Sequence, residues 1–366
     1  MENRFADRRQ RLYRLMQEQG VETAVVASVP SIYYLTGVWV VPGERVHALI
    51  LRADADPVWV AAEMFKQETE GSGVDMHYFR DGDNPYDRLA EVIGSGKSLV
   101  VDGEWPARHL LGLASALRLE RLPGNADGLL QRLRVIKDDQ EIQALEQASQ
   151  MADLVVGRLA EQLRPGMSER AAAELLAGLW REAGALQMSF PPIIASGKQG
   201  AAPHHEPDDT PLARNSTVIV DTGGVYDHYC SDITRTFVLG CPSEEMERVY
   251  KVVWAAQQAG VRAARPGRTL HDVDAAVREV ITEAGYGEYF THRTGHGVGL
   301  DIHEAPYVMA GNTQVLEPGM VMSVEPGVYL PGKFGVRIED LVVVEEGGAR
   351  SLNRAAKAWE SIRLDV

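Results

Sequence analysis

The chain has 366 residues, 45% of them apolar and 24% charged, ordinary values for a soluble globular protein that can bury a substantial core. At roughly 150 residues per domain this length predicts two domains, or one unusually large one. Two cysteines, Cys230 and Cys241, exclude a disulfide scaffold and lack zinc-ligand spacing, and the net charge of −15 argues against a general nucleic-acid binder.

In chain order, residues 1–135 read as alternating helix and strand. A helix over about 6–18 carries Leu12, Leu15 and Met16 on one stripe. The charged start MENRFADRRQRLYRL is unlike a signal peptide. No apolar run reaches the roughly 18 residues a membrane span needs, so the expected compartment is the cytoplasm. Short apolar runs follow over 23–27, 32–35, 46–51, 58–61 and 98–101, with helical stretches near 86–93 and 107–116. This alternation favours an α/β layer domain. The polar segment 138–164 reads as one strong helix, opened by Asp138, Asp139 and Glu141 where the helix dipole favours acids, and ended by Pro165-Gly166. Beyond it the pattern changes to a helix at 169–183, strands over 217–221 and 232–239, a helix pair over 244–264 and 270–284, and a strand-rich remainder punctuated by Gly and Pro. The reading is a smaller α/β domain over 1–128 followed by an α+β catalytic domain over 129–366, the boundary lying within 124–136.

Charge divides unevenly between the two parts. Residues 1–135 carry 16 basic and 19 acidic side chains, and residues 136–366 carry 21 and 33. Most of these acids are read as solvated surface, but a few stand where acids rarely do. Val218-Ile219-Val220 is a buried-strand sequence that ends in Asp221, and carboxylates are seldom buried unless paired or metal-bound. Asp232 opens a second strand pattern, and the residues between supply a turn, so a hairpin could set the two acids side by side. Either one alone reads equally as a cap or turn aspartate. Glu325 closes the run Met320–Val324, and Glu339 interrupts Val336–Leu341. Arg337 precedes Glu339 by two residues on the same strand face and could balance it.

The segment HRTGHGVGLDIHEAP places His292, His296 and His303 among the glycines 295, 297 and 299, which suggest closely approached backbone. His204-His205 lies in the loop ASGKQGAAPHHEP, where His205 is read as a solvated residue. Four strand acids and one glycine-flanked histidine form a hard donor set suited to Mn²⁺ or a similar divalent ion. Four crowded carboxylates cannot all ionise unaided. Two divalent ions would restore neutrality and could share a water that attacks a carbonyl, the chemistry of a hydrolase.

The segments VIVDTGG, SDITRT, HRTGHGVGLDIHE, SVEPGVY and VRIED resemble, in order and spacing, the pita-bread metallopeptidases: prolidases, Xaa-Pro aminopeptidases and methionine aminopeptidases. The resemblance covers residues 136–366. The upstream SIYYLTG region looks like the N-terminal domain of the prolidase and aminopeptidase P branch, which methionine aminopeptidases lack. It implies a pita-bread catalytic domain in which Asp221, Asp232, His296, Glu325 and Glu339 ligate two divalent ions, Mn²⁺ first and Co²⁺ or Zn²⁺ as alternatives. It further implies Glu325 as general base, His204 and His303 as stabilisers of the tetrahedral intermediate, and His292 and Arg337 as substrate-side residues. Thr234 is a plausible supporting partner for a ligand. The expected substrate is an Xaa-Pro dipeptide, with longer peptides as the aminopeptidase alternative, and the expected assembly is a homodimer with no nucleic-acid or membrane partner. Arg45 could contribute in trans to binding the dipeptide's carboxylate, for which arginine is the favoured partner. Two rival readings are a metal-free creatinase type and a non-catalytic pita-bread binding module such as a histone-binding domain. Both would be expected to lose ligands that this sequence keeps.

Overall fold

The computed structural model describes residues 2–94 and 98–364. It divides into two compact units, Met1–Arg134 and Val135–Val366.

The first unit is a six-stranded mixed sheet in the order Asp75–Phe79, Ala55–Ala62, His47–Arg52, Thr23–Val26, Leu99–Val101 and Gly124–Asn125. Its central strand HALILR is buried almost throughout, as a strand covered on both faces must be. Helices Glu2–Glu18, Val29–Thr36, Pro85–Ile93, Ala107–Ala116 and Asp127–Arg134 complete the expected α/β layer domain. The apolar run 32–35 is helical rather than extended. Pro30 sits in the first turn and Gly37 ends the helix at φ 78°, its N–H donating to the Tyr33 carbonyl, the usual proline-start, glycine-stop asymmetry. A side chain at 37 would also meet the Phe5 ring at 2.5 Å, so glycine is required there twice over.

The second unit segregates helices from sheets, the α+β pattern. Helix Asp139–Ala160 begins with a reciprocal capping box: the Asp138 carboxylate accepts the Glu141 N–H at 3.0 Å, and Glu141 accepts the Asp138 N–H at 3.0 Å. This helix stops short of the expected residue 164. Its last turn tightens, with both Gln162 N–H and Leu163 N–H donating to Leu159 O, and Pro165 disfavours helical backbone at Arg164.

Four strands pair in the order Arg363–Leu364, Ile233–Leu239, Ser216–Thr222, Ile193–Ser196. Five more pair in the order Glu304–Val308, Gly295–Gly297, Val321–Val324, Asp340–Glu345, Gly348–Ser351. The hairpin Gly327–Leu330/Phe334–Arg337 is separate. Helices Glu169–Glu182, Glu244–Ala263 and Leu270–Glu283 share with these sheets one core that includes Trp180, Val220, Val253, Val277, Val324 and Val342. Polar groups that face inward from the sheets therefore have no water and must find partners within the protein.

Candidate metal centre

Strand Ser216–Thr222 is buried at all its positions. In its ladder with Ile233–Leu239, Asp221 stands opposite Thr234, so the two side chains leave the same face. Asp232 precedes Thr234 by two residues and falls in the same phase. Both acids are buried, and the fields of Asp221, Glu325 and Glu339 all reach Asp232. The intervening chain forms its own short hairpin, Val225–Tyr226 with Tyr229–Cys230, rather than a simple turn.

His296 occupies the centre of strand Gly295–Gly297, between Val321–Val324 and Glu304–Val308. A Cβ at 295 would lie 2.0 Å from Ser323 O, and one at 297 would lie 2.2 Å from Ala305 O. Only glycine allows this pinch, which seats the histidine. The His296 N–H donates to Ser323 Oγ at 3.0 Å and its Nδ1 faces Gly297 O at 3.1 Å. The outer nitrogen, Nε2, is thereby aimed at the acids: Glu325 Oε1 at 3.2 Å and Asp232 Oδ2 at 3.7 Å. Glu325 follows its strand directly, its N–H on Thr294 O and its Oε1 accepting Ser323 Oγ. Glu339 lies between two strands, its N–H on Thr234 O at 3.1 Å and its Oε2 accepting the Thr234 hydroxyl at 2.7 Å.

The five candidate ligands thus converge, and their electrostatics call for positive charge. Burial pushes Asp221, Asp232 and Glu339 up from the usual carboxylate range. Neighbouring acids push Asp232 and Glu339 further, whereas at Asp221 the Arg337 charge opposes the rise more than Glu325 adds to it. Burial acts the same way on Glu325, but the His296 contact and the nearby His292 and Arg337 outweigh it and hold Glu325 low. Asp221 Oδ1 and Glu339 Oε1 are buried with no hydrogen-bond partner. Asp232, His296 and Glu339 offer ligand atoms all within 4.8 Å of one another. Orphaned carboxylate oxygens, mutual repulsion and a hard O/N donor set are what a divalent-ion site presents, so these residues fit the metal ions that their chemistry implies.

Arg337 balances Asp221 rather than Glu339. Its Nη2 donates to Asp221 Oδ2 at 2.6 Å, Nη1 to Tyr329 Oη at 2.9 Å and to Pro203 O, and Nε to Thr234 Oγ1 at 3.2 Å. Thr234 joins Arg337 to Glu339. Behind them the fully buried Arg235 donates to Glu339 O and to Asp340 Oδ1, and Lys357 closes the same Asp340. This pairing anchors the backbone that carries Glu339.

A cavity of about 1140 Å³ opens over the acids, walled by Phe190, Pro191, Ile193 and Ile302. His204, His292, His303 and Arg337 all line it. The His303 ring packs edge-on against His296 at 4.2 Å between centroids. Burial, with the His296 and Arg293 charges, lowers the His303 pKa to about 4. His292 Nε2 meets Tyr329 Oη at 2.8 Å, and burial lowers its pKa also. Arg45 is not in this group: it lies in the first unit, half-buried, with Nε and Nη2 on the two Asp81 oxygens at 3.0 and 2.8 Å.

Two features escaped sequence reasoning. Tyr329, which ties His292 to Arg337, lies in an apolar run where a buried aromatic needs no special explanation. Its only signal was a hydroxyl that burial obliges to find a partner. His205 is not solvated but bonds to the buried Glu169 at 2.6 Å.

Residues 143–346 match the model of the family described as metallopeptidase family M24, and residues 8–136 match the Creatinase/Prolidase N-terminal domain. The chain is 41% identical over 343 residues to a probable dipeptidase of Mycobacterium tuberculosis, covering 92% of this chain and 91% of that protein. It is 34% identical over 351 residues to the Xaa-Pro dipeptidase of Pyrococcus furiosus, covering 96% and 99%. The crystal structure of a prolidase from Thermococcus sibiricus matches with a TM-score of 0.93 at 38% identity, covering 98% of this chain and 99% of that one.

Proposed function

We propose that this chain, which belongs to metallopeptidase family M24, hydrolyses the peptide bond of Xaa-Pro dipeptides with two divalent metal ions held by Asp221, Asp232, His296, Glu325 and Glu339. The observation that carries the reading is the buried cluster of these side chains, with Glu325 and Asp232 facing the His296 Nε2 and with Asp221 Oδ1 and Glu339 Oε1 left open. The naming of the Pyrococcus furiosus relative as an Xaa-Pro dipeptidase supports the substrate. Manganese is the ion assigned, with cobalt or zinc as alternatives, because carboxylate oxygens outnumber nitrogen and no thiolate takes part. When bound, such an ion pair supplies Lewis-acid polarisation of a carbonyl and a lowered pKa for water.

The remaining chemistry belongs to the side chains. Glu325, held low and therefore ionised at neutral pH, is the carboxylate able to take a proton and pass it to the leaving imino nitrogen. The prolyl nitrogen leaves as a secondary amine and must gain this proton to depart. His303 is neutral at pH 7 and acts as an N–H donor to the developing oxyanion, with His204 on the same cavity wall. His292, held by Tyr329, faces the substrate side. Arg337 contributes charge there, its nitrogens being already engaged by Asp221, Tyr329, Pro203 and Thr234. A cytoplasmic homodimer completes the reading, its copy number testable by scattering mass in solution.

The deciding experiment compares Met-Pro with Met-Pro-X tripeptides, with and without added Mn²⁺. Mn²⁺-dependent cleavage of the dipeptide alone is expected. Equal or faster tripeptide cleavage would make the enzyme an Xaa-Pro aminopeptidase, and absence of any metal-dependent cleavage would overturn the reading.

A further inference from the structure

Glu169 begins helix Glu169–Glu182 and is fully buried, a position a carboxylate holds only with several donors. Its Oε1 accepts the Ser196 N–H at 2.8 Å from the end of strand Ile193–Ser196. Its Oε2 accepts His205 Nε2 at 2.6 Å and the Asp208 N–H at 3.4 Å. Backbone bonds run beside these, from Glu169 N–H to Thr210 O and from Arg170 N–H to Asp208 O. One carboxylate therefore staples a helix start, a strand end and the loop that carries His204.

Besides this staple the loop has the Arg337 Nη1 bond to the Pro203 carbonyl and two short-range backbone bonds, Ala202 N–H to Gln199 O and His205 N–H to Ala202 O. Pro203 and Pro207 lack N–H groups, and His204 is exposed and makes no hydrogen bond of its own among the described residues. Yet His204 lines the cavity, and its charge is felt at both His292 and His303. Glu169, His205 and Asp208 have ligand atoms close enough to suggest a separate ion site. The 2.6 Å between Nε2 and Oε2 argues otherwise: two ligands on one tetrahedral ion stand about 3.3 Å apart, whereas 2.6 Å is a strong hydrogen bond.

We infer that Glu169 and His205 form a positioning pair whose hydrogen bond holds His204 over the reaction centre. The inference rests on the catalytic role read for His204 above. His205→Ala removes the bond, and His205→Gln restores an N–H donor where Nε2 stood. In the Mn²⁺-loaded full chain, His205→Ala is expected to lower kcat for Met-Pro by about 10-fold with KM within about 2-fold. His205→Gln should recover most of that loss, and both variants should keep the wild-type metal stoichiometry. In a His204→Ala background, adding His205→Ala should change kcat by less than about 2-fold, because its effect is exerted through His204. Multiplying effects, no rescue by Gln, or a loss of bound metal would overturn the inference. A second readout is independent of turnover. In the zinc-loaded, ¹⁵N-histidine-labelled protein, the His204 imidazole signals should shift or broaden in His205→Ala while those of His296 stay. Unmoved His204 signals would refute the pairing even if Met-Pro proves not to be a substrate.

Discussion

Asp221 gives its two oxygens different tasks: Oδ2 takes the Arg337 guanidinium, while Oδ1 is buried and open. Glu339 repeats the arrangement, with Oε2 on the Thr234 hydroxyl and Oε1 open. In each case a donor from the chain fixes the carboxylate plane and leaves an oxygen for an ion. Thr234 is the joint between the two, since its hydroxyl also receives Arg337 Nε. Thr234→Val keeps the shape and deletes that hydroxyl, leaving a buried donor and acceptor unpaired. We expect urea unfolding to show a loss of about 1–3 kcal/mol, and calorimetric titration to show metal affinity reduced about 10–100-fold. Lowered stability with unchanged affinity would confine Thr234 to folding. Thr234 was singled out in the sequence as a supporting partner for a ligand. His205 was not, because its partner Glu169 is 36 residues away and nothing in a loop histidine announces a buried carboxylate.

Among the elements, the strand Gly295–Gly297 is pinched from both sides. Its glycines admit the backbones of Val321–Val324 and Glu304–Val308 at distances no side chain would permit. Gly295→Ala must force the Ser323 carbonyl away, and with it the Ser323 hydroxyl that holds the His296 N–H and Glu325 Oε1. The expected outcome is a stability loss of roughly 1–3 kcal/mol together with a fall in metal stoichiometry below wild type, read by thermal melts and elemental analysis. Retention of full metal content would show that the pinch is dispensable. The glycine spacing and the acids ending apolar runs were readable because both contradict ordinary strand composition. The helix at Val29–Thr36 was not, since SIYYLTG is too short for its period to separate helix from strand, and only the flanking Pro30 and Gly37 carried the answer. The Arg337 pairing also needed the fold. Same-strand spacing favours Glu339, but the neighbouring ladder brings Asp221 closer.

At the scale of the molecule, the acids of the centre link stability to pH. Asp221, Asp232 and Glu339 have folded pKa values raised by burial and mutual repulsion, so the folded state holds protons that the unfolded state releases near pH 4. Their contribution is therefore full below that pH and is lost as pH rises through the folded values. Glu325 runs the opposite way and offsets part of it. In the proposed centre, metal ions would replace those protons and need the ionised forms. The melting temperature of chelator-treated protein should thus fall below that of the Mn²⁺-loaded protein, by a margin that widens from pH 5 to pH 8. A constant margin would mean that the acids are not the ions' principal ligands. The same repulsion bears on descent. A lineage that abandoned metal would be free to exchange its acids for neutral residues and would gain firmness at neutral pH by doing so. It could not so readily exchange Gly295 and Gly297, whose vacancies the neighbouring carbonyls already fill. A retired enzyme of this kind would keep the Gly-x-Gly pair as a fossil, marking where a histidine once stood.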